Sequence, residues 1–271
     1  MRIFKREERK QRCMGRNAKP AIAMPRPKPV VPRRLVVLFS LCLLFALVYG
    51  AVLSVMHQQS LYAHITAPAQ QQENARILSY LNGPPFTQHT LDFLTPAEAS
   101  HMSDVKRLFD AMFITYLVCL GILIGILIIF AAQRLWHHFD ELLGRSLRAV
   151  GWTLVGACLL FGLAAMLDFP RSWVLFHAVL FPQGNWAFPA DSILITLYPG
   201  AFFSQFVLRV LLYLFLAGAI AALLSWFLLR MRTAEHQFSE AYERKHGTEQ
   251  HDKAYNKRQN KNAPKKTKAR P

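Results

Sequence analysis

The chain has 271 residues, 53% of them hydrophobic, and a formal net charge of +16. So much apolar content beside so much charge excludes an ordinary soluble domain and fits a chain that segregates the two. The apolar residues fall in four stretches, residues 35–56, 111–132, 149–167 and 206–229, each about 19–24 residues long, enough to cross a hydrocarbon core of about 30 Å. The expected fold class is an α-helical membrane protein with four transmembrane helices and a small outward-facing cap.

In chain order, residues 1–34 form a basic arm that runs from Arg2 and Lys5 to Arg33 and Arg34. Its "MPRPKPVVPRR" reads as a stiff, extended spacer leading to the membrane. The first apolar stretch is longer than the core of a cleaved secretory signal, so it is read as an uncleaved signal-anchor. The segment between spans two and three carries Arg134, Arg145 and Arg148, and the tail 230–271 is again basic. By contrast, residues 57–110 and 168–205 carry only Arg76, Lys106, Arg107 and Arg171. Because basic segments stay cytoplasmic, both termini are expected on the cytoplasmic side of the cell inner membrane, with those two loops facing outward. The domain division is therefore 1–34, 35–229 and 230–271. The tail is too poor in apolar residues to offset the entropy of ordering, and it is expected to be disordered. The arms suit anionic lipid headgroups; without a motif beside the charge, no nucleic acid is expected.

Within the first outward loop, "NARILSYLNG" has a helical pattern, with Ile77, Leu78 and Leu81 on one face and Gly83 as the stop. "TQHTLDFL" reads as a short extended segment. "TPAEASHMSDVKRLF" starts a helix, with Thr95 as N-cap, Pro96 at the first position and Glu98 closing a capping box. That helix can run directly into the second span. It would hold His101 and Asp104 on one face, roughly two to three turns outside the apolar run. The second outward loop is aromatic, from Trp173 to Phe203, as befits a segment in the headgroup zone. Gly184, Pro189 and Pro199 break it into turns. Arg209, just inside span four, is read as a side chain that snorkels to the interface.

Cys42, Cys119 and Cys158 lie within spans and Cys13 in the arm, so no disulfide is expected in an outward loop. There is no GxSxG elbow, HExxH motif or CxxC pair. The outward histidines are His57, His64, His89, His101 and His177, and imidazole is the side chain suited to proton transfer near neutral pH. The first three are read as solvated or structurally satisfied. His101, Asp104 and His177 are also metal-competent residue types, but nothing in their spacing defines a coordination geometry, and no metal is expected.

"HMSDVKRLF" resembles the His-Met-x-Asp-Val-Lys block of the bacterial lipoprotein intramolecular transacylases. "FHAVLFPQGNWAFPADSILITLYPGAFF" resembles that family's second block: Phe-His, then Trp, Pro-x-Asp, an apolar run and Pro-x-x-Phe-Phe. The likeness spans residues 35–229, including the four-span layout, and leaves the basic arms outside. It implies an acyltransferase whose substrate is a diacylated lipoprotein. An acyl chain would move from the glyceryl sn-2 ester to the N-terminal cysteine amine, leaving the lyso form. It also implies His101 and His177 as catalytic residues. One histidine would serve as general base for the amine, and the other would assist the oxyanion or the leaving oxygen. With ester and amine in one molecule, no cofactor is required. His101 is favoured as the base because Asp104 can orient it; Trp186 and Asp191 would shape the pocket or pack beside it. The alternatives are a non-enzymatic membrane scaffold that binds a partner and a metal-dependent membrane hydrolase.

Overall fold

The structure is a computed structural model that describes residues 31–85 and 91–262. The arm up to residue 30, with Cys13 and most of the proline-rich spacer, lies outside the described residues, as do His89 and the first part of the extended segment expected near residue 87. The end of that segment, from Leu91 to Leu94, forms a turn closed by a hydrogen bond from the Leu94 amide to the Leu91 carbonyl at 3.0 Å.

Seven α-helices and one short 3₁₀ turn make up the described residues, with no strand among them. Helix α1 covers Arg33–Met56, the 3₁₀ turn Gln59–Tyr62, and α2 Pro68–Asn82. Helix α3 covers Pro96–Ala132, α4 Trp136–Leu167, α5 Phe169–Leu180, α6 Ile193–Leu197 and α7 Gly200–Asn262. Helices α1, α3, α4 and α7 each contain a window long and apolar enough to cross a membrane. Much of that apolar surface faces outward, including Leu41, Val118, Leu160 and Leu223. A hydrocarbon solvent makes such exposure favourable, whereas water would penalise it.

Helix α1 touches the other three spanning helices, and α4 and α7 form the most extensive pair. That pair is close because two glycines face each other. A Cβ on Gly151 would lie 2.8 Å from the Gly218 carbonyl oxygen, and one on Gly218 would lie 2.8 Å from the Leu154 Cβ. Small residues let helix backbones approach in a membrane, where there is no hydrophobic drive to bring them together. The buried Ser225 hydroxyl donates to the Gly144 carbonyl across the same seam at 2.7 Å.

The capping box at Thr95 forms as the sequence predicts: the Glu98 amide donates to the Thr95 hydroxyl, and the Glu98 carboxylate accepts from the Thr95 amide. The helix then continues unbroken into its span, so residues 96–110 stand as four turns before the apolar run. Helix α2 ends at Gly83 as expected, with Ile77 buried.

Both loops between spans at this end contribute to one small core. Ile65, Ile77, Leu91 and Leu94 come from the first loop, Met102 from the start of α3, and Leu194 and Leu197 from the second loop. This is the cap. The buried Lys106 ammonium also holds it, donating to Asp110 at 2.6 Å and to the Gly83 carbonyl at the end of α2 at 2.8 Å.

Helix α7 departs from expectation. It passes the anticipated boundary at Leu229 and continues through the basic tail to Asn262. Residues 230–262 contain no proline and are rich in Ala, Glu, Gln, Lys and Arg, all good helix formers. Low apolar content argues against burial, but it does not prevent a continuing helix from adding residues to a nucleus already built in the membrane.

Candidate functional site

Met102 sits in the cap core, so its neighbour His101 is held beside the cap on α3. His177 arrives from the second loop on α5. The Asp168 carboxylate caps that helix by accepting from the Arg171 amide at 3.0 Å. The fold therefore brings together two histidines that are 76 positions apart in sequence. Their ring centroids are 6.1 Å apart, with the rings tilted by 33°. Both are buried, at 8% and 7% exposure.

The surroundings are almost wholly aromatic. Around His177 stand Trp173 at 4.3 Å, Trp186 at 4.9 Å and Phe176 at 5.3 Å between centroids. Phe181 lies 4.9 Å from His101 and 5.8 Å from His177, and Phe188 closes on His101 at 5.7 Å. An enclosure this apolar disfavours imidazolium. Burial lowers the pKa of His177 below the usual histidine value, only partly offset by its hydrogen bond to the Trp173 carbonyl. His101, which precedes the apolar part of α3, is also lowered, first by burial and then by the neighbouring His177, with Asp104 acting in the opposite direction. Both rings are therefore neutral at pH 7.

The two rings differ in their hydrogen bonds. His177 Nδ1 lies 3.0 Å from the Trp173 carbonyl oxygen. A carbonyl only accepts, so Nδ1 carries the proton and Nε2 presents a lone pair. His101 Nδ1 is buried with no hydrogen-bond partner.

The expectation that Asp104 orients His101 is not met by a hydrogen bond. Asp104 instead accepts from Gln183 Nε2 and Asn185 Nδ2, both at 2.8 Å, and pairs with Arg107 at 3.4 Å. A carboxylate at i+3 on the same helix face projects beside the imidazole, and the polar turn of the second loop reaches it from outside. That turn depends on Gly184, whose φ of +79° lies in the left-handed region. Asp104 thus clasps the turn between Phe181 and Trp186, the two rings that flank the histidines. No motif marks Gln183 and Asn185; two amides around a glycine in an otherwise aromatic stretch are the signal that the sequence offers.

Trp186 is brought to the pair, whereas Asp191 is not. It stands exposed in the turn before α6, with no hydrogen bond to either histidine. Glu98 does more than close a capping box. It is 1% exposed, and its second carboxylate oxygen accepts from the Leu194 amide at 3.1 Å, tying α3 to α6. Burial pushes its pKa up, but the amide and hydroxyl bonds outweigh this and the net shift is downward. His64 donates Nε2–H to the Leu197 carbonyl at 2.9 Å, and His57 bonds the Leu53 carbonyl at 2.8 Å. Arg209 donates to Gln58 at 3.1 Å and to Ser60 at 3.3 Å, tying α7 to the 3₁₀ turn. Among the described residues, no three His, Cys, Asp or Glu side chains gather as a metal-ligand set.

Comparison with known proteins agrees with this architecture. The family model "Lipoprotein intramolecular transacylase Lit" matches residues 34–203. The chain also resembles the solved structure of the membrane integral lipoprotein intramolecular transacylase Lit from Bacillus cereus, with a TM-score of 0.62 and 18% identity over 74% of this chain and 97% of that one. A variant of that protein with one histidine replaced by arginine matches with a TM-score of 0.57, again at 18% identity, over 75% and 94% of the two chains. At this identity the likeness speaks for the fold. No curated protein sequence matches the chain significantly.

Proposed function

The chain belongs to the lipoprotein intramolecular transacylase family, and from that premise we propose that His101 and His177 carry out the transfer within a single diacylated lipoprotein. The donor is the sn-2 ester of the glyceryl group on the N-terminal cysteine, and the acceptor is the α-amine of the same residue. The observation that carries this reading is the pair of buried, neutral imidazoles 6.1 Å apart, one of which has its Nε2 free to accept a proton.

The steps follow from the residues. An α-amine has a pKa of about 7.7–8.0, so it must lose a proton before it attacks an ester. That first proton is lost to solvent; as the neutral amine adds to the ester, His177 Nε2 takes a second proton from the nitrogen while Nδ1–H remains bonded to the Trp173 carbonyl, which fixes the ring and stabilises the imidazolium as it forms. The amine nitrogen bonds to the ester carbonyl carbon. His101 donates an N–H to the oxyanion that develops. The bond from carbon to the glyceryl oxygen then breaks, and a proton returns to that oxygen from histidine. The product is an amide and a free hydroxyl, an isomer of the substrate. The base role thus moves from His101, the residue favoured by sequence, to His177. The aromatic enclosure excludes water, which would otherwise hydrolyse the ester. Holding amine and ester together supplies the proximity that an intermolecular reaction lacks.

The reaction site is proposed to face the outer side of the cytoplasmic membrane, with the arms 1–34 and 230–271 on the cytoplasmic side. The basic residues Arg134, Arg145, Arg148 and Arg230 support this, since they gather at the end of the bundle opposite the histidines. Mass spectrometry of a diacylated lipopeptide incubated with the purified protein tests the proposal. The expected product has unchanged mass and a blocked N-terminus. Loss of an acyl chain to water, or a persistently free amine with folded protein, contradicts it.

A further inference from the structure

The opposite end of the bundle carries a second feature that acyl transfer does not use. From the Gly151–Gly218 contact toward the basic end, α4 and α7 enclose a groove of about 510 Å³, open to the side and lined by Arg148, Trp152, Ser225, Trp226, Arg230 and Thr233. Four arginines lie in this region, and they divide into two kinds. Arg145 and Arg232 share the Glu141 carboxylate, one on each oxygen, at 3.2 and 2.8 Å. Arg148 and Arg230, which line the groove, have no ion pair among the described residues. The Arg230 guanidinium lies over the Trp226 ring, 5.0 Å from its centroid.

The groove has little else to offer a polar ligand. The Ser225 hydroxyl spends its proton on the Gly144 carbonyl, and the Thr233 hydroxyl spends its own on Leu229, at 2.7 and 2.9 Å. The remaining donors are guanidinium and indole N–H groups. Arginine of this kind suits phosphate oxygens. Trp152 and Trp226 are 66% and 59% exposed, as expected of indoles at headgroup level. Beside them Leu223 and Leu224 present bare aliphatic surface along α7.

We propose that this groove holds one anionic phospholipid of the adjacent leaflet, with its phosphate between Arg148 and Arg230, its headgroup against the two indoles and its acyl chains along the Leu223 face of α7. Charge complementarity selects the headgroup, and the continuous apolar wall selects a lipid over a soluble phosphate. The site is separate from the histidine pair and independent of the reading of that pair as catalytic.

Native mass spectrometry of the full chain, released from nanodiscs of phosphatidylcholine mixed with phosphatidylglycerol, tests this directly. The wild-type protein should retain phosphatidylglycerol in preference to phosphatidylcholine. Arg148→Gln with Arg230→Gln should reduce that preference by about fivefold per arginine, since each cation near an anionic membrane surface contributes about that factor. Lys265→Gln with Lys266→Gln, an equal loss of charge in the terminal segment, should leave it unchanged. Arg148→Gln alone, at an exposed position, provides the same reading should the double variant fail to fold. Equal retention of the two lipids by wild type, an unchanged preference in the groove variants, or an equal loss in the terminal variant would each overturn the proposal. So would displacement of the bound lipid by millimolar inorganic phosphate, because the phosphate alone would then account for binding.

Discussion

In the proposed mechanism His177 acts as the base because its other nitrogen is occupied. The bond from Nδ1 to the Trp173 carbonyl fixes the tautomer, and nothing in the one-dimensional pattern "SWVLFHAVL" marks that choice. The residue types were legible from the sequence: two outward histidines, one with a carboxylate three positions on. Which histidine the carboxylate serves was not, because Asp104 is engaged by Gln183 and Asn185 from a loop about 80 positions away. The pair also predicts a dependence of stability on pH. Both rings have a folded-state pKa below the unfolded value of about 6.5. The unfolded chain therefore binds more protons in acid, and stability is present above pH 6.5 and lost as the pH falls below it. Thermal melts in detergent should show wild type losing stability between pH 6.5 and 5, and His101→Gln with His177→Gln losing less. Equal slopes would mean that the rings are not buried neutral.

At the scale of elements, the spans and the start of α3 follow from local rules. Apolar length sets the four crossings, and Thr95, Pro96 and Glu98 set the helix start. The cap follows from packing, which no local pattern encodes: Leu194 and Leu197 complete a core begun by Ile65 and Ile77. The same limit explains the tail, where composition alone pointed to disorder and a preceding membrane helix continues through Asn262. Lys106 illustrates how the cap is secured. It is 4% exposed, and it bonds Asp110 and the end of α2. Removing one partner of a buried ion pair leaves an uncompensated charge and costs about 3–5 kcal/mol. Lys106→Ala should therefore lower the melting temperature clearly and weaken acyl transfer through loss of the cap. An unchanged melt would show that the pair carries no structural weight.

At the scale of the whole molecule, the proposed transacylase unit is predicted to work without the basic tail. The family match spans residues 34–203, and 74% of this chain accounts for 97% of the Bacillus cereus structure. A chain ending after Arg244 keeps all four spanning helices and both histidines, and it should retain transfer activity within about twofold of the full chain, the scale of surface changes far from the chemistry. A large loss would assign the tail a part in catalysis. The fold also explains why a membrane enzyme needs so few polar groups. Under the proposed mechanism the substrate carries both reacting groups, so two imidazoles in an aromatic enclosure are all that the protein has to supply.

The most direct measurement uses a lipopeptide with an isotopically labelled sn-2 acyl chain, mixed with an equal amount of unlabelled lipopeptide carrying a distinguishable peptide. After incubation, tandem mass spectrometry locates the label. Wild type should place it on the amine of the peptide that carried it, with no crossover to the other. His101→Ala and His177→Ala should each reduce transfer by about 10²-fold or more, the usual contribution of a positioned acid or base. Label found on the second peptide, or full activity in either histidine variant, would contradict the assignment of this buried pair as an intramolecular acyl-transfer site.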